Sequence, residues 1–232
     1  MNMIFKIAKT ELQTLFYSPV AWLILIVFTF QASILFTGTF GMSVRSQALE
    51  YEVGNLTLFT FGGDYGLFTH IQQYLYLYIP LLTMGLMSRE LSSGSIKLLY
   101  SSPVTNKEIV LGKYFAMLVY GLVLIGILAI YVLYSACTIK AFDFTVVLSG
   151  LLGLYLLICA YASIGLFMSS LTSYQVVSAM GTLAILAALS LVRGMWQDIE
   201  FVREITYWLS INGRVDEFVN GLICSEDILY FL

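Results

Sequence analysis

The sequence predicts an all-α protein that crosses a membrane several times. Hydrophobic residues make up 59% of its 232 residues and charged residues only 11%, whereas soluble globular domains carry about 25% charged residues. Mean hydropathy is correspondingly high, at +0.89. The length leaves room for about six spans of roughly 20 residues each and none for a separate catalytic domain. We therefore expect residues 1–232 to form a single transmembrane domain.

Charge and composition exclude several classes of site. The net charge of −3 and the pI near 5.1 leave no basic surface for nucleic acid, so no nucleic-acid partner is expected. The three cysteines, Cys137, Cys159 and Cys224, follow neither a metal-ligand nor a disulfide spacing. The single histidine, His70, has no second ligand nearby in the sequence, and we interpret it as an interfacial residue rather than a ligand.

The first predicted element is an amphipathic helix over about residues 3–16. Its apolar and polar side chains separate at helical spacing. The apolar face carries Ile4, Phe5, Ala8, Leu12, Leu15 and Phe16, and the polar face carries Lys6, Lys9, Thr10 and Gln13. A helix with lysines on its polar face is typical of the membrane interface. Ser18 and Pro19 then predict the N-cap and the first residue of the next helix.

Five complete apolar spans and the beginning of a sixth are predicted after this helix. The complete spans cover about residues 19–40, 74–87, 114–138, 145–168 and 176–192. The sixth begins at about residue 228, and we expect it to be truncated in this chain. Pro80 predicts a kink in the second span. Residues 41–73 and 193–227 are predicted to be polar connections.

Residues 88–113 form the most charged segment between two long apolar runs. Its charged residues are Arg89, Glu90, Lys97, Lys107, Glu108 and Lys113. With the N-terminus in the cytoplasm, six lysines and arginines fall inside and five fall outside, and the inner segments are shorter. The density of positive charge therefore predicts a cytoplasmic N-terminus and a cytoplasmic loop 88–113.

This loop is predicted to contain a short helix, a break and a second helix. Gly94 and Ser95 open a turn of apolar residues, and Pro103 stops that turn because proline lacks an amide donor. Thr105 and Glu108 then predict a capping box that begins the next helix. Such a shape could be held by a second protein. The alternative is an ordinary cytosolic loop whose charges only set the topology.

The predicted spans lack the groups that ion transport and catalysis require. No Asp, Glu, Lys, Arg or His lies within the five complete spans, which argues against a secondary transporter and a charged-ring channel. The sequence also lacks a P-loop and the common hydrolase motifs, so we expect no enzyme activity. If the chain moves cargo uphill, the energy must come from another polypeptide.

Small residues form a stripe along the fourth span. They are Gly150, Gly153, Ala160, Ala162, Ser163 and Gly165. Small side chains allow helices to approach closely within a membrane. The stripe therefore predicts either packing within the chain or an interface for a second subunit.

One pattern in residues 88–113 carries a family resemblance. It combines an acidic residue, a glycine–hydroxyl pair, paired leucines, a proline and a terminal lysine. Its members are Arg89, Glu90, Gly94, Ser95, Leu98, Leu99, Pro103 and Lys113. With the six-span spacing, the pattern resembles the permease subunits of ABC-2-type bacterial ABC transporters, most closely the gliding-motility-associated permeases. Two residues depart from it: Ser95 stands where threonine is usual, and Lys97 where an acidic residue is common.

The resemblance implies a half-transporter of the bacterial cytoplasmic membrane. Such a chain would pair with a second permease subunit, identical or different, within the lipid bilayer. The eight residues of the pattern would couple it to a separate ABC ATP-binding subunit, with the part from Glu90 to Pro103 docking as a coupling helix. That partner would bind the ATP, so no cofactor is expected in this chain. Closure of the ATPase would then rock spans one, two and five.

Two functions from other classes stay open at this level. One is a membrane anchor or scaffold for a cell-surface machine of the gliding type, which would transport nothing. The other is a stand-alone channel, which would conduct ions without any ATPase. The sequence identifies neither a cargo nor a direction of movement.

Overall fold

The computed structural model describes residues 3–48, 55–63, 65–97, 104–139, 142–192, 211–222 and 225–231. Every regular element within these ranges is an α-helix. In chain order the helices are α1 (Met3–Tyr17), α2 (Pro19–Ala48), α3 (Leu56–Phe61), α4 (Leu67–Thr83), α5 (Ser88–Ser93), α6 (Asn106–Thr138), α7 (Phe144–Leu171), α8 (Gln175–Val192), α9 (Ile211–Val219) and α10 (Ser225–Phe231). The predicted class, an all-α polytopic membrane protein, is confirmed.

Three of the described helices, α2, α6 and α7, are long and apolar enough to cross a membrane. Helix α8 is apolar but shorter. The total of six spans and the interfacial position of α1 stay predictions. The connection 193–210, which holds most of the predicted charged segment before the sixth span, lies outside the described residues.

Helix α2 is longer than the predicted first span. It continues to Ala48, whereas the hydropathy predicted an end near residue 40. The hydroxyls of Thr39 and Ser43, on either side of that point, find their hydrogen-bond acceptors within the helix, so these polar residues are compatible with its continuation. Thr39 donates to the carbonyl oxygen of Leu35 at 3.2 Å, and Ser43 donates to that of Thr39 at 3.0 Å.

Helix α4 also differs from the predicted second span, 74–87. It begins at Leu67 and ends at Thr83, with Pro80 inside it. The sequence predicts a polar connection before residue 74, but Leu67, Phe68 and Ile71 are fully buried. These apolar residues are spaced as on one face of a helix, so the helix begins earlier than predicted. The polar residues between them do not mark a connection outside the helix.

The described residues fall into two compact units. The first comprises residues 1–25, 75–123 and 158–188. In it, the buried Tyr120 hydroxyl donates to the carbonyl oxygen of Ala21 at 2.8 Å. The indole of Trp22 donates to the carbonyl oxygen of Phe16 at 2.7 Å and fixes the turn from α1 into α2. Such bonds matter in lipid because apolar burial does little to hold helices together there.

The second unit comprises residues 26–74, 124–157 and 189–232. Hydroxyl pairs join its helices: Ser33 with Tyr131 at 2.6 Å, and Ser43 with Thr60 at 2.5 Å. Helix α9 packs through the fully buried Phe218, whose carbonyl oxygen accepts a hydrogen bond from the Ser149 hydroxyl at 2.9 Å.

Glycines of the small-residue stripe in α7 make close contacts within each unit. A Cβ atom at Gly153 would lie 2.5 Å from Cβ of Phe218, within the second unit. A Cβ atom at Gly165 would lie 2.7 Å from Cβ of Thr83, within the first unit, and still closer to the Thr83 hydroxyl oxygen. These two glycines therefore serve packing within the chain, while Ser163 of the same stripe is exposed.

We predict that Gly165→Ala destabilises the protein, because the added methyl group overlaps the backbone-proximal atoms of Thr83. Overpacking of this kind costs about 1–3 kcal/mol. Gly126→Ala in α6 is the matched control, since no atom lies within 4 Å of the Cβ that it adds. Thermal unfolding of both detergent-solubilised variants provides the measurement, and equal melting temperatures would contradict this account of the contact.

Candidate functional site

A buried ammonium group lies at the centre of the candidate site. Lys113 is in the N-terminal part of α6, and its side chain is 1% exposed. Its Nζ atom donates to Oε1 of Glu11 in α1 at 2.5 Å and to Oε1 of Glu90 in α5 at 2.7 Å. A single lysine therefore links three helices of the first unit.

Arg89 completes what we call the charge cluster, defined as Glu11, Arg89, Glu90 and Lys113. Its guanidinium nitrogen lies 3.8 Å from Oε2 of Glu11, and its side chain is 44% exposed. At that distance and exposure the pair contributes little to stability. Two cations and two carboxylates make the cluster formally neutral, and the carboxylates of Glu11 and Glu90 compensate the buried charge of Lys113.

The beginning of α5 is fixed by a hydroxyl from α7. Ser169, which is fully buried, accepts hydrogen bonds from the amide of Met87 at 2.9 Å and from that of Ser88 at 3.1 Å. The same hydroxyl donates to the carbonyl oxygen of Met84 at 3.0 Å. Two amides that begin a helix would otherwise lack partners, so Ser169 holds Arg89 and Glu90 in place.

The end of α5 is set by Gly94. Its φ is +71°, in the left-handed region, and its amide donates to the carbonyl oxygen of Leu91 at 3.4 Å. Glycine adopts this conformation without the strain that a side chain introduces. The sequence predicts that Gly94 opens an apolar turn. In the structure Gly94 instead ends the short helix that carries Arg89 and Glu90.

Ser95 lies beside that turn, where its hydroxyl is 2.9 Å from the hydroxyl of Ser93. Lys97 is exposed two residues later. Three of the predicted coupling residues, Leu98, Leu99 and Pro103, lie outside the described residues. Of the eight predicted residues, the structure thus brings Arg89, Glu90 and Lys113 into one cluster and places Gly94 and Ser95 at the end of the helix that carries the first two.

The predicted capping box begins α6 and is confirmed. The amide of Thr105 donates to Oε2 of Glu108 at 2.9 Å, and the amide of Glu108 donates to the Thr105 hydroxyl at 3.4 Å. Helix α6 begins at Asn106, as the capping box predicts, and so includes residues that precede the predicted span, which starts near residue 114. Lys113 is thus a residue of this helix.

Gly112 allows α1 to approach α6 beside Lys113. A Cβ atom at Gly112 would lie 2.7 Å from Cγ2 of Ile7 and 3.2 Å from the carbonyl oxygen of Ile4. The glycine–lysine pair thus has two functions: glycine permits the close helix contact, and lysine pairs with the carboxylate on the helix that approaches.

Sequence reasoning missed Glu11. It lies on the apolar stripe of α1 with Ile4, Ala8 and Leu15, spaced as successive positions of one helix face. A carboxylate on such a face requires a cation because an unpaired buried charge is very costly. That requirement was the available signal, although it does not say which of the eleven cations of the chain is the partner.

The cluster joins three helices through ion pairs. No group of three or more His, Cys, Asp or Glu side chains that could hold a metal ion occurs among the described residues. Breaking a buried ion pair by moving one partner away costs about 3–5 kcal/mol. The cluster can therefore hold α1, α5 and the beginning of α6 together as one body.

We predict that Lys113→Met lowers thermal stability strongly, because it leaves the Glu11 and Glu90 carboxylates without their shared cation. The expected loss in free energy of unfolding is about 3–5 kcal/mol. Lys107→Met is the matched control, since Lys107 is exposed in the first turn of the same helix. A similar unfolding temperature for both variants in one detergent would show that the cluster does not stabilise the unit.

The charge cluster lies in a region of the chain that matches a known protein family. A family model described as ABC-2 family transporter protein matches residues 5–200. The match includes all four members of the charge cluster, Ser169, the whole of α5 and α6, and α1 from Phe5 onward. No curated protein and no solved structure matches the chain. Since the matched region covers most of its length, the chain belongs to the ABC-2 family of transporter proteins.

Proposed function

We propose that this chain is the permease subunit of an exporter-type ABC transporter, driven through residues 88–113 by a separate ATP-binding subunit. Family membership supports the role in transport, since ABC-2 permeases are membrane transport components without catalytic activity that work with an ATP-binding subunit. The proposal that the drive passes through residues 88–113 rests on the way in which α5 is anchored. This short helix is held at its beginning, at its end and through one side chain.

A docking element must transmit force without deforming. Ser169 fixes the first amides of α5, Gly94 closes its last turn, and Glu90 bonds to the buried Lys113. A partner that pushed on α5 would therefore displace α6 and α7, to which α5 is bonded, rather than bend a loose loop. The ordinary-loop interpretation requires none of these three attachments.

The exposed residues of the same segment supply a surface for the partner. Arg89 is 44% exposed, and Ser92, Ser93 and Lys97 are exposed as well. This surface is polar and positively charged in its described part, which fits an acidic rim around a groove on the ATP-binding subunit. We propose that Leu98, Leu99 and Pro103 complete it as the apolar anchor.

The remaining parts of the proposal go beyond the family assignment, and the orientation rests on the distribution of lysine and arginine in the sequence. We propose a second permease subunit as partner, a bacterial cytoplasmic membrane as location, and an N-terminus on the cytoplasmic side. Kinship with gliding-motility permeases stays a prediction, as does the scaffold function that it suggests. Among the described residues no surface feature favours the scaffold over transport.

We predict that the full-length chain, solubilised in mild detergent, co-purifies with an ATP-hydrolysing subunit and that Leu98→Asp/Leu99→Asp abolishes this. The two introduced carboxylates would have to lose their water on docking, so the affinity for the ATP-binding subunit should fall at least tenfold. Leu98→Met/Leu99→Met is the control, because it keeps the positions apolar. The measurement is ATPase activity in the eluate.

Two outcomes would change the assignment. An ATPase that stays bound to the Asp variant places docking elsewhere on the chain. An absent ATPase in every preparation removes the coupling proposal and favours the scaffold, which would also predict a cellular phenotype that survives inactivation of the ATPase.

We predict further that Gly94→Val weakens ATPase binding more than Gly94→Asn does. Nothing lies within 4 Å of a Cβ atom at Gly94, so the two variants differ in backbone strain rather than in steric contact. Asparagine tolerates the left-handed region, whereas a β-branched residue is strained there by about 1–2 kcal/mol. Binding affinity of the partner for each variant, measured by titration in detergent, tests this ranking, and an inverted order would contradict it.

A further inference from the structure

The amphipathic helix α1 is attached to the proposed coupling segment by a buried charge. Glu11 is the one acidic residue of α1, and its side chain is 11% exposed despite its position on the apolar stripe. Membrane-interface anchoring requires only apolar residues and exposed lysines. A buried carboxylate adds nothing to that anchoring, so its presence points to a second function for the helix.

The attachment has its own steric component. Gly112 admits Ile7 and the backbone at Ile4 at a distance that a larger residue would prevent. On the next residue, Lys113 bonds to Glu11. Helix α1 is thus fixed to α6 by two adjacent contacts, one of shape and one of charge.

The same ammonium group carries the contact with α5. Because Nζ of Lys113 bonds both Glu11 and Glu90, a displacement of α5 must either break a buried ion pair or carry α6 and α1 with it. Moving the helices together keeps both pairs intact. It is therefore the response that costs less free energy.

We propose that Glu11 is a positioning residue: its ion pair with Lys113 makes α1 move together with α5 and the beginning of α6 when the ATP-binding subunit acts. The inference rests on the proposed function and extends it to the membrane-surface helix. Movement of α1 reaches the first span directly, since the Trp22 indole bonds to the carbonyl oxygen of Phe16 and Tyr120 bonds to that of Ala21. Helix α1 thus acts as a lever on the beginning of α2.

The test uses the full-length chain with its bound ATP-binding subunit in lipid nanodiscs. Spin labels replace the exposed Thr10 on α1 and the exposed Lys107 in the first turn of α6, outside the proposed docking surface, and the three native cysteines are replaced by serine. Distances between the labels, and the accessibility of the Thr10 label to a lipid-soluble relaxation agent, are measured without nucleotide and after trapping with ATP and vanadate.

In the unsubstituted chain we expect a narrow distance distribution that is the same in both states, together with a change in accessibility of the Thr10 label on trapping. In Glu11→Gln we expect the distribution to broaden and the accessibility change to be lost, while the ATP-binding subunit stays bound. Glu11→Asp keeps the charge and should retain part of the change. Glu226→Gln, at an exposed position in α10, is the matched control and should respond as the unsubstituted chain does.

The outcomes separate the two proposals. If the ATP-binding subunit binds and Glu11→Gln still shows the full accessibility change, the inference about Glu11 is wrong and the proposed function stands. If no ATP-binding subunit binds the unsubstituted chain, the proposed function fails, and the coupling role of Glu11 fails with it. If Glu11→Gln does not fold, the test rests on Glu11→Asp, whose shorter side chain holds the carboxylate farther from Lys113. An unaltered accessibility change of the Thr10 label in that variant overturns the inference.

Discussion

One buried ammonium group determines how the first unit is organised. Lys113 has almost no contact with solvent and is neutralised by two carboxylates from different helices. Because an uncompensated charge in that position is strongly unfavourable, Glu11 and Glu90 must both stay within hydrogen-bond distance. That requirement fixes where α1 and α5 lie relative to α6, and the exposed surface of residues 89–97 follows from it.

Elsewhere in each unit, hydroxyl groups and glycines determine how neighbouring helices pack against one another. Lipid chains are as apolar as leucine, so helices in a membrane gain little from burying leucine against one another. Close backbone approach at Gly153 and Gly165 and hydroxyl bonds such as that of Ser169 supply the specific contacts instead. These contacts decide which helix faces meet, while the many exposed apolar side chains of the long helices suit contact with lipid.

The separation of charged and uncharged regions suits a subunit that is driven from outside. The predicted spans carry no Asp, Glu, Lys, Arg or His for ion coupling, and the buried Lys113 meets its carboxylate partners where α1 and α6 meet the short helix α5. We propose that in an ABC-2 family member this arrangement is the site at which an ATP-binding subunit acts. A joint movement of the three helices keeps both ion pairs of Lys113 intact.

Local sequence features were sufficient for several elements. The capping box of Thr105 and Glu108 depends on residues within one turn and is present in the structure, whereas Gly94 ends a short helix instead of opening the predicted apolar turn. Hydropathy identified the long helices, but it misplaced their ends where polar residues bond within the helix or lie between buried apolar ones, as at the end of α2 and the beginning of α4.

The sequence by itself thus determined the membrane class, the helical class and the segment that carries the candidate site. Only the tertiary structure decided which residues complete that site. Glu11 and Lys113 are separated by 102 positions, and Met87 and Ser169 by 82. The physical reason is that a charge or hydroxyl in one helix sets the need for a partner, whereas the packing of the other helices decides which partner lies within reach.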